Sequence, residues 1–426
     1  MRRARSGVRG LLSGAVVASL LAAPGPASAA PGDLDPAFGT GGRVTTDFGG
    51  GFADAYAVAR QRDGKIMAVG HTTVAVGDDF ALARYRKDGS LDLTFGMGGT
   101  VTTDFFGVFD HANAVALQRD GRIVAAGSAF SGSLPGHNDF ALARYRTDGS
   151  LDASFGTGGK VTTSVGSFSV AWAVAVQRDG RILAAGVASS RFALVRYSRD
   201  GTLDPSFGTG GMVTTDIPGG DEDIFGLAVQ RDGRIVVAGF ASGDFALARY
   251  RPDGTLDPSF GTGGIVTTDF GGFAYASAVA LQPGSRIVAV GRAVSTAIPG
   301  DDDFALARYR RDGTLDATFG SGGRVTTDFG GVDEAFAVGV QRNGRIVAAG
   351  TTHSGSTNND FALARYRRDG TLDATFGTGG RVTTDIAGSF DRARAVLVQP
   401  DGRIVAAGRA SIGIGDQFAL TRYANR

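Results

Sequence analysis

Residues 91–104 read LDLTFGMGGTVTTD, and variants of that stretch begin at Leu34, Leu91, Leu151, Leu203, Leu256, Leu315 and Leu372. Successive copies start 57, 60, 52, 53, 59 and 57 residues apart. A period of this size marks a repeat architecture, in which each unit buries its apolar surface against its neighbours. A residue found in every copy is therefore first a residue of the scaffold.

Working outward from that copy, residues 57–61 alternate small apolar side chains, and residues 66–70 form a second apolar run. Between them lies Arg62-Asp63-Gly64-Lys65. Two strand-like runs joined by Asp-Gly predict a β-hairpin with a two-residue turn of positive φ at both positions. The turn recurs at Asp120-Gly121, Asp179-Gly180, Asp232-Gly233, Asn343-Gly344 and Asp401-Gly402, and Pro283-Gly284 departs from it. A loop leads to a third strand at residues 80–86 (FALARYR), rich in apolar and aromatic residues. Asp88-Gly89 turns the chain, residues 91–99 make a corner, and residues 101–104 form a short fourth strand.

Four antiparallel strands in each of seven repeats, with no helical periodicity, predict an all-β fold: a seven-bladed β-propeller over residues 33–426. A β-solenoid suits the pattern less well, because its coils are built from parallel strands. The ends of the chain indicate how the ring closes. Residues 34–47 form a fourth-strand block with no blade before it, and the last repeat stops on a third strand at residues 418–423. Residues 44–47 are expected to pair with that strand and close the ring, which protects both ends from edge-to-edge association.

Residues 1–29 stand apart. Arg2, Arg3, Arg5 and Arg9 precede an apolar run at residues 11–23, and Ala27-Ser28-Ala29 offers a small-residue cleavage site. This is the pattern of a secretory signal peptide, and the run is too short for a membrane anchor. The Arg2-Arg3 pair is a weak echo of twin-arginine export signals. The formal charge of +1 becomes −3 once those 29 residues, with four arginines and no acid, are removed. Neither value suits a nucleic-acid binder, which concentrates basic charge on one face. With no cysteine there is no disulfide, thiol nucleophile or lipidated cysteine. The expectation is a secreted or surface-associated monomer, without membrane insertion after signal removal.

The blocks DGSLD with TFG and GG, QRDGRIVAAG, and DFALARYR occur in every copy with small changes. In these blocks the chain resembles the bacterial delta-60 repeat proteins over essentially all of residues 33–423. The resemblance implies a β-propeller and hands over no catalytic residue.

The repeat accounts for many notable residues. Seven of nine tyrosines (Tyr85, Tyr145, Tyr197, Tyr250, Tyr309, Tyr366 and Tyr423) share one position, as do the phenylalanines equivalent to Phe80 and to Phe95. These are expected to pack between blades, and the arginines equivalent to Arg84 to meet repeated acids or carbonyls. The Phe-Gly-x-Gly-Gly corner resembles a phosphate loop but opens no helix and lacks the Lys-Ser/Thr that would follow. The D-x-D-x-D-G cage of FG-GAP calcium repeats is also absent.

Length varies mainly between the second and third strands, from 6 residues (Gly186 to Phe192) to 13 (Gly127 to Phe140). In a four-stranded blade that loop shares a face with the connection to the next blade, and loops on a rigid scaffold commonly carry function. On this face the residues just before the seven first strands do not repeat: Tyr56, Asn113, Trp172, Phe225, Ser277, Phe336 and Arg394. They are expected to ring the channel mouth with Tyr275, near Asp54, His111, Asp223, Glu334 and Arg392. Aromatics among polar groups suit a sugar or peptide, since rings stack and polar groups orient. The competing reading is that they merely cap blade junctions.

All four histidines, His71, His111, His137 and His353, fall on the same face, those other than His111 in variable loops. The acidic pairs Asp79/Asp104, Asp244/Asp269, Asp303/Asp328 and Asp360/Asp385 are expected to be neighbours, with Arg191/Asp216 and Gln417/Asp47 as their counterparts. Like charges so close require a partner. No cofactor or metal site is expected, with a calcium ion the one addition these pairs would admit.

Three functions compete. The first is a secreted binding or scaffold module for a glycan, cell-wall polymer or protein. The second is a hydrolase or lyase with His111 as base and Asp223 or Glu334 as its partner. The third is a structural surface protein joined through blade edges.

Overall fold

The computed structural model describes residues 29–49, 51–74, 77–106, 109–130, 137–217, 220–295, 300–353, 359–413 and 415–425. The expected export signal lies almost wholly outside them, as do stretches of four variable loops, at 75–76, 131–136, 296–299 and 354–358.

The described chain forms seven four-stranded antiparallel sheets, each taking four strands consecutive in sequence except the last. In blade one these are Ala53–Arg60 (inner), Ile66–Val74, Gly77–Tyr85 and Thr100–Thr103 (outer). The inner strands of blades two to seven are Asp110–Leu117, Ser169–Val176, Glu222–Val229, Ala274–Gln282, Val332–Val340 and Asp391–Val398. Blade seven takes its outer strand, Arg43–Thr46, from the start of the chain. There Val44 faces Leu420 and Thr46 faces Phe418, so the ring closes between the termini, with the closing strand one residue earlier than residues 44–47.

Side chains on a strand alternate between its two faces, and in a propeller both faces of a blade are covered. Ile66 and Ala68 therefore join a core shared with Val405 and Leu420 of blade seven. Met67 and Val69 between them join one shared with Ala125 and Tyr145 of blade two. This explains why second and third strands read as near-continuous apolar runs. The repeated tyrosines tie neighbours together, as when the Tyr145 hydroxyl donates to Thr103 Oγ1 at 2.8 Å.

The hairpin turns differ from expectation. Gln61 N donates to Lys65 O at 2.8 Å and Gly64 N to Gln61 O at 3.0 Å. The loop thus has three residues, and only Gly64 has positive φ, at 93°. A tight turn followed by a left-handed glycine needs glycine at that one place. Asp63 contributes as an acceptor, its Oδ1 taking the Lys65 amide at 3.0 Å.

The corner is built from contacts to the next blade. Gly96, at φ 52°, donates its N–H to Asp148 O at 2.8 Å. The Arg84 guanidinium lies 4.6 Å from the Phe95 ring centre, pairs with Asp92 at 2.8 Å, and donates to Thr147 O of the next blade. The repeated arginine thus meets both an acid and a carbonyl.

Candidate functional site

The non-repeating residues lie inside the inner strands rather than before them. In every blade the register between inner and second strand slips by one residue, and the unpaired residue is the variable one. Ala55 pairs with Gly70 and Ala57 with Val69, leaving Tyr56 out. The same slip leaves out Asn113, Trp172, Phe225, Ser277, Phe336 and Arg394. These are β-bulges, which insert one residue and re-aim its side chain.

The glycine opposite makes the bulge feasible. A Cβ on Gly239 would lie 1.7 Å from the carbonyl oxygen of Asp223, and on Gly70 1.8 Å from that of Asp54. No side chain fits there, so the glycine ending each AVG, AAG or VAG block is a requirement of the bulge.

All seven bulged residues line one cavity of about 380 Å³, with Phe240, Phe273, Tyr275, Arg292 and Glu334 completing the wall. Larger clefts of about 600 and 470 Å³ lie between hairpin turns of blades one to three and are lined by repeated turn residues such as Arg119 and Asp120. They follow from the frame, whereas the axial cavity is lined by what varies.

The cavity has two unlike sides. On blades three to five, Trp172 and Phe225 rings lie 5.8 Å apart, Phe225 and Tyr275 5.9 Å, and Phe273 and Tyr275 6.2 Å. Arg292 covers Tyr275 at 5.0 Å and pairs with Asp302 at 2.6 Å. Tyr275 donates its hydroxyl to Glu334 of the next blade. Asp223 is pushed up to about 8 by burial, against the Ile224 amide and Trp172. The Trp172 indole N–H approaches that carboxyl without a normal hydrogen bond to it.

On blades seven and one the wall is charged. Arg394 lies over Tyr56 at 4.6 Å and Phe336 at 4.9 Å, and reaches the buried Asp54 at 3.4 Å. Arg409 stands 3.8 Å from the same carboxylate. Burial raises the Asp54 carboxyl, against the pull of Arg394, Arg409 and Arg392.

Of the weaker candidates, His111 is not joined to Asp223 or Glu334 by any hydrogen bond or ion pair among the described residues. It pairs with Asp78 at 2.8 Å. His71 belongs to the second strand, not to a loop, because the bulge lets pairing continue past Gly70 to Thr72. His353 ends a second strand and faces Asn359 at 3.0 Å.

The acidic pairs are neighbours, joined by one more acid in three places. Carboxylate oxygens of Asp79, Asp104 and Asp110, of Asp301, Asp303 and Asp328, and of Asp360, Asp385 and Asp391 lie within 4.8 Å of one another in each set. Burial and these neighbours push Asp79, Asp303 and Asp391 up to about 6, the Asp391 carboxylate also taking amide hydrogen bonds that oppose the rise. In blade three, Arg191 pairs with Asp216 at 3.3 Å instead.

A further set of exposed side chains stands at a fixed distance from the bulge. Four residues before the bulge stand Phe52, Phe109, Phe168, Phe273, Val332 and Phe390, each between 39 and 56% exposed, with Asp221 as the seventh. The signal was their fixed distance from the variable position. It was masked by a second phenylalanine of the same connection, such as Phe270, which packs on Phe245 at 4.7 Å.

Fold and cavity define a seven-bladed β-propeller with a non-repeating axial pocket. Seven stretches, 61–95, 118–155, 177–207, 230–260, 282–319, 341–376 and 399–425, match the family described as a domain of unknown function (DUF5122) beta-propeller, and the chain belongs to it. No curated protein matches the chain. Among solved structures it is similar to a catalytically inactive virginiamycin B lyase from Staphylococcus aureus with quinupristin, at 9% identity and TM-score 0.55, covering 89% of this chain and 98% of that one. A protein from Lactobacillus plantarum gives 15% identity and TM-score 0.51 over 83% and 98% of the two chains. A polysaccharide lyase PL25 ulvan lyase gives 10% and 0.50 over 88% and 94%. Likeness at this identity concerns the fold.

Proposed function

We propose that the chain is an exported binding propeller that holds a carboxylated sugar of a glycan or cell-wall polymer in its axial cavity. The observation that carries this reading is the coincidence of two patterns. The bulged inner-strand position holds six residue types in seven repeats, while the positions on either side of it hold alanine in all but blade four, and all seven of its side chains line a single cavity. Five rings, those of Trp172, Phe225, Phe240, Phe273 and Tyr275, supply flat apolar surface for the face of a sugar. Arg394, shared with Asp54, supplies a cation for an acidic substituent on the opposite wall. The exposed phenylalanines at the mouth extend the stacking surface along a polymer. Support for a hydrolase or lyase is weaker, since His111 turns to Asp78 instead of to Asp223 or Glu334.

A glycan array probed with the chain from residue 30 onward tests the reading. Acidic glycans are expected to bind, and a Trp172→Ala/Tyr275→Ala variant to lose binding while still folding. Arg394→Gln is expected to weaken acidic glycans selectively. Undiminished binding by the folded double variant would overturn the proposal.

A further inference from the structure

Beside the axial cavity, three side chains with metal-binding chemistry meet across the junction of blades one and two. His71 comes from the second strand of blade one, Asp78 from the start of its third strand, and His111 from the inner strand of blade two. We propose that these three form a site for a late first-row divalent metal ion, zinc foremost, with one coordination position open. The proposal is independent of the sugar-binding reading.

The first support is geometric. One ligand atom from each residue lies within 4.8 Å of the others. A metal at ordinary bond lengths of about 2.0–2.2 Å to nitrogen and carboxylate oxygen spans such a gap after small movements. The imidazole rings stack with centres 4.2 Å apart and planes 24° from parallel, so both ring edges can face one point.

Second, the carboxylate is held. Asp78 Oδ1 accepts from Thr73 Oγ1 at 2.7 Å, while Oδ2 lies 2.8 Å from His111 Nε2. A carboxylate anchored through one oxygen presents the other, and such outer partners orient metal ligands. A parallel backbone bridge from Asp78 to Phe109, the residue just before the inner strand of blade two, fixes blade one against blade two. Main chain therefore sets the spacing across the junction.

Third, His71 has an unused nitrogen: Nδ1 is buried and has no hydrogen-bond partner. Two imidazoles and one carboxylate suit zinc and its neighbours, whereas the oxygen-only acidic triads elsewhere suit harder cations. Nearby Arg394 and Arg409 oppose a cation, but both face Asp54, and Arg409 also pairs with Asp416 at 2.6 Å.

Three protein ligands leave a place for water or a ligand atom. Tyr56, whose ring centre is 5.6 Å from that of His71, lines the axial cavity, which puts the metal beside whatever the cavity holds.

The test is calorimetric titration of zinc chloride into the chelator-stripped full chain, repeated with cobalt(II) to read visible d–d absorption. One metal per chain is expected, with a tetrahedral or five-coordinate cobalt spectrum. Asp78→Asn and His111→Ala should each weaken zinc at least tenfold, and His71→Gln/His111→Gln should abolish both signals. His111 is 37% exposed, so its replacement should leave the fold intact, as circular dichroism will verify. No zinc binding, or equal affinity in the folded His71→Gln/His111→Gln variant, would overturn the assignment.

Discussion

At the outer corner of blade four, Arg249, Asp257 and Phe260 make the contacts that Arg144, Asp152 and Phe155 make in blade two. At the inner bulges of those blades stand Phe225 and Asn113, which share nothing but their backbone position. The corner arginine must satisfy its own carboxylate, its own ring and a carbonyl of the next blade together. Few side chains can do that, so the same solution recurs. The bulge asks only for a glycine opposite and leaves its own side chain unconstrained. Variation is tolerated where the scaffold places demands on backbone alone.

Removing residues 33–47 is expected to have the largest effect. It takes away the closing strand and the Asp35 carboxylate that pairs with Arg422 at 2.8 Å. The melting temperature should fall by about 10 °C or more. An unchanged melt would mean that the last blade closes another way.

Arg249→Ala tests the corner. Arg249 is 3% exposed and Asp257 2%, so truncation leaves a buried carboxylate with Arg234 as its remaining ion-pair partner beside the Ser259 hydrogen bonds. A loss of about 3 kcal/mol in denaturant unfolding is expected. A loss below about 1 kcal/mol would show that the corner is less demanding than its repetition suggests.

Asp223 sharpens the inner side of the comparison. Its carboxyl is raised from 3.8 to about 8, so between those values the folded protein holds a proton that the unfolded chain has released. Stability from this group is present below about pH 4 and falls as pH rises, by about 1.4 kcal/mol per unit. Asp333, raised to about 7, and Asp391, raised to about 6, act with the same sign. Asp223→Asn should flatten the decline between pH 4 and 8, and an unchanged slope would count against a buried neutral carboxyl.

The smallest effect belongs to the rim. Phe390 is 50% exposed, and Phe390→Ser should change stability by no more than about 0.5 kcal/mol. A larger loss would make the exposed ring part of the packing.

The blade count, four-strand plan and closure between the termini were legible in the copies of LDLTFGMGGTVTTD and in the spare strand at residues 43–46. Periodicity and turn chemistry act locally or between neighbours, and both leave a pattern in the chain. The seven variable positions were legible as well, by their failure to repeat.

Their placement was not. Tyr56 and Arg394 are 338 residues apart and meet only because the ring closes. A bulge shows itself in no single strand, because the extra residue is defined by the register against the strand beside it. His71, Asp78 and His111 illustrate the same limit. As a sequence they are two histidines and one of 42 acids. Their convergence depends on how one blade packs on the next, which is a matter of interblade geometry that one-dimensional order does not encode. The repeat by itself determined the frame, and the closed ring decided which unlike side chains face one another across the axis.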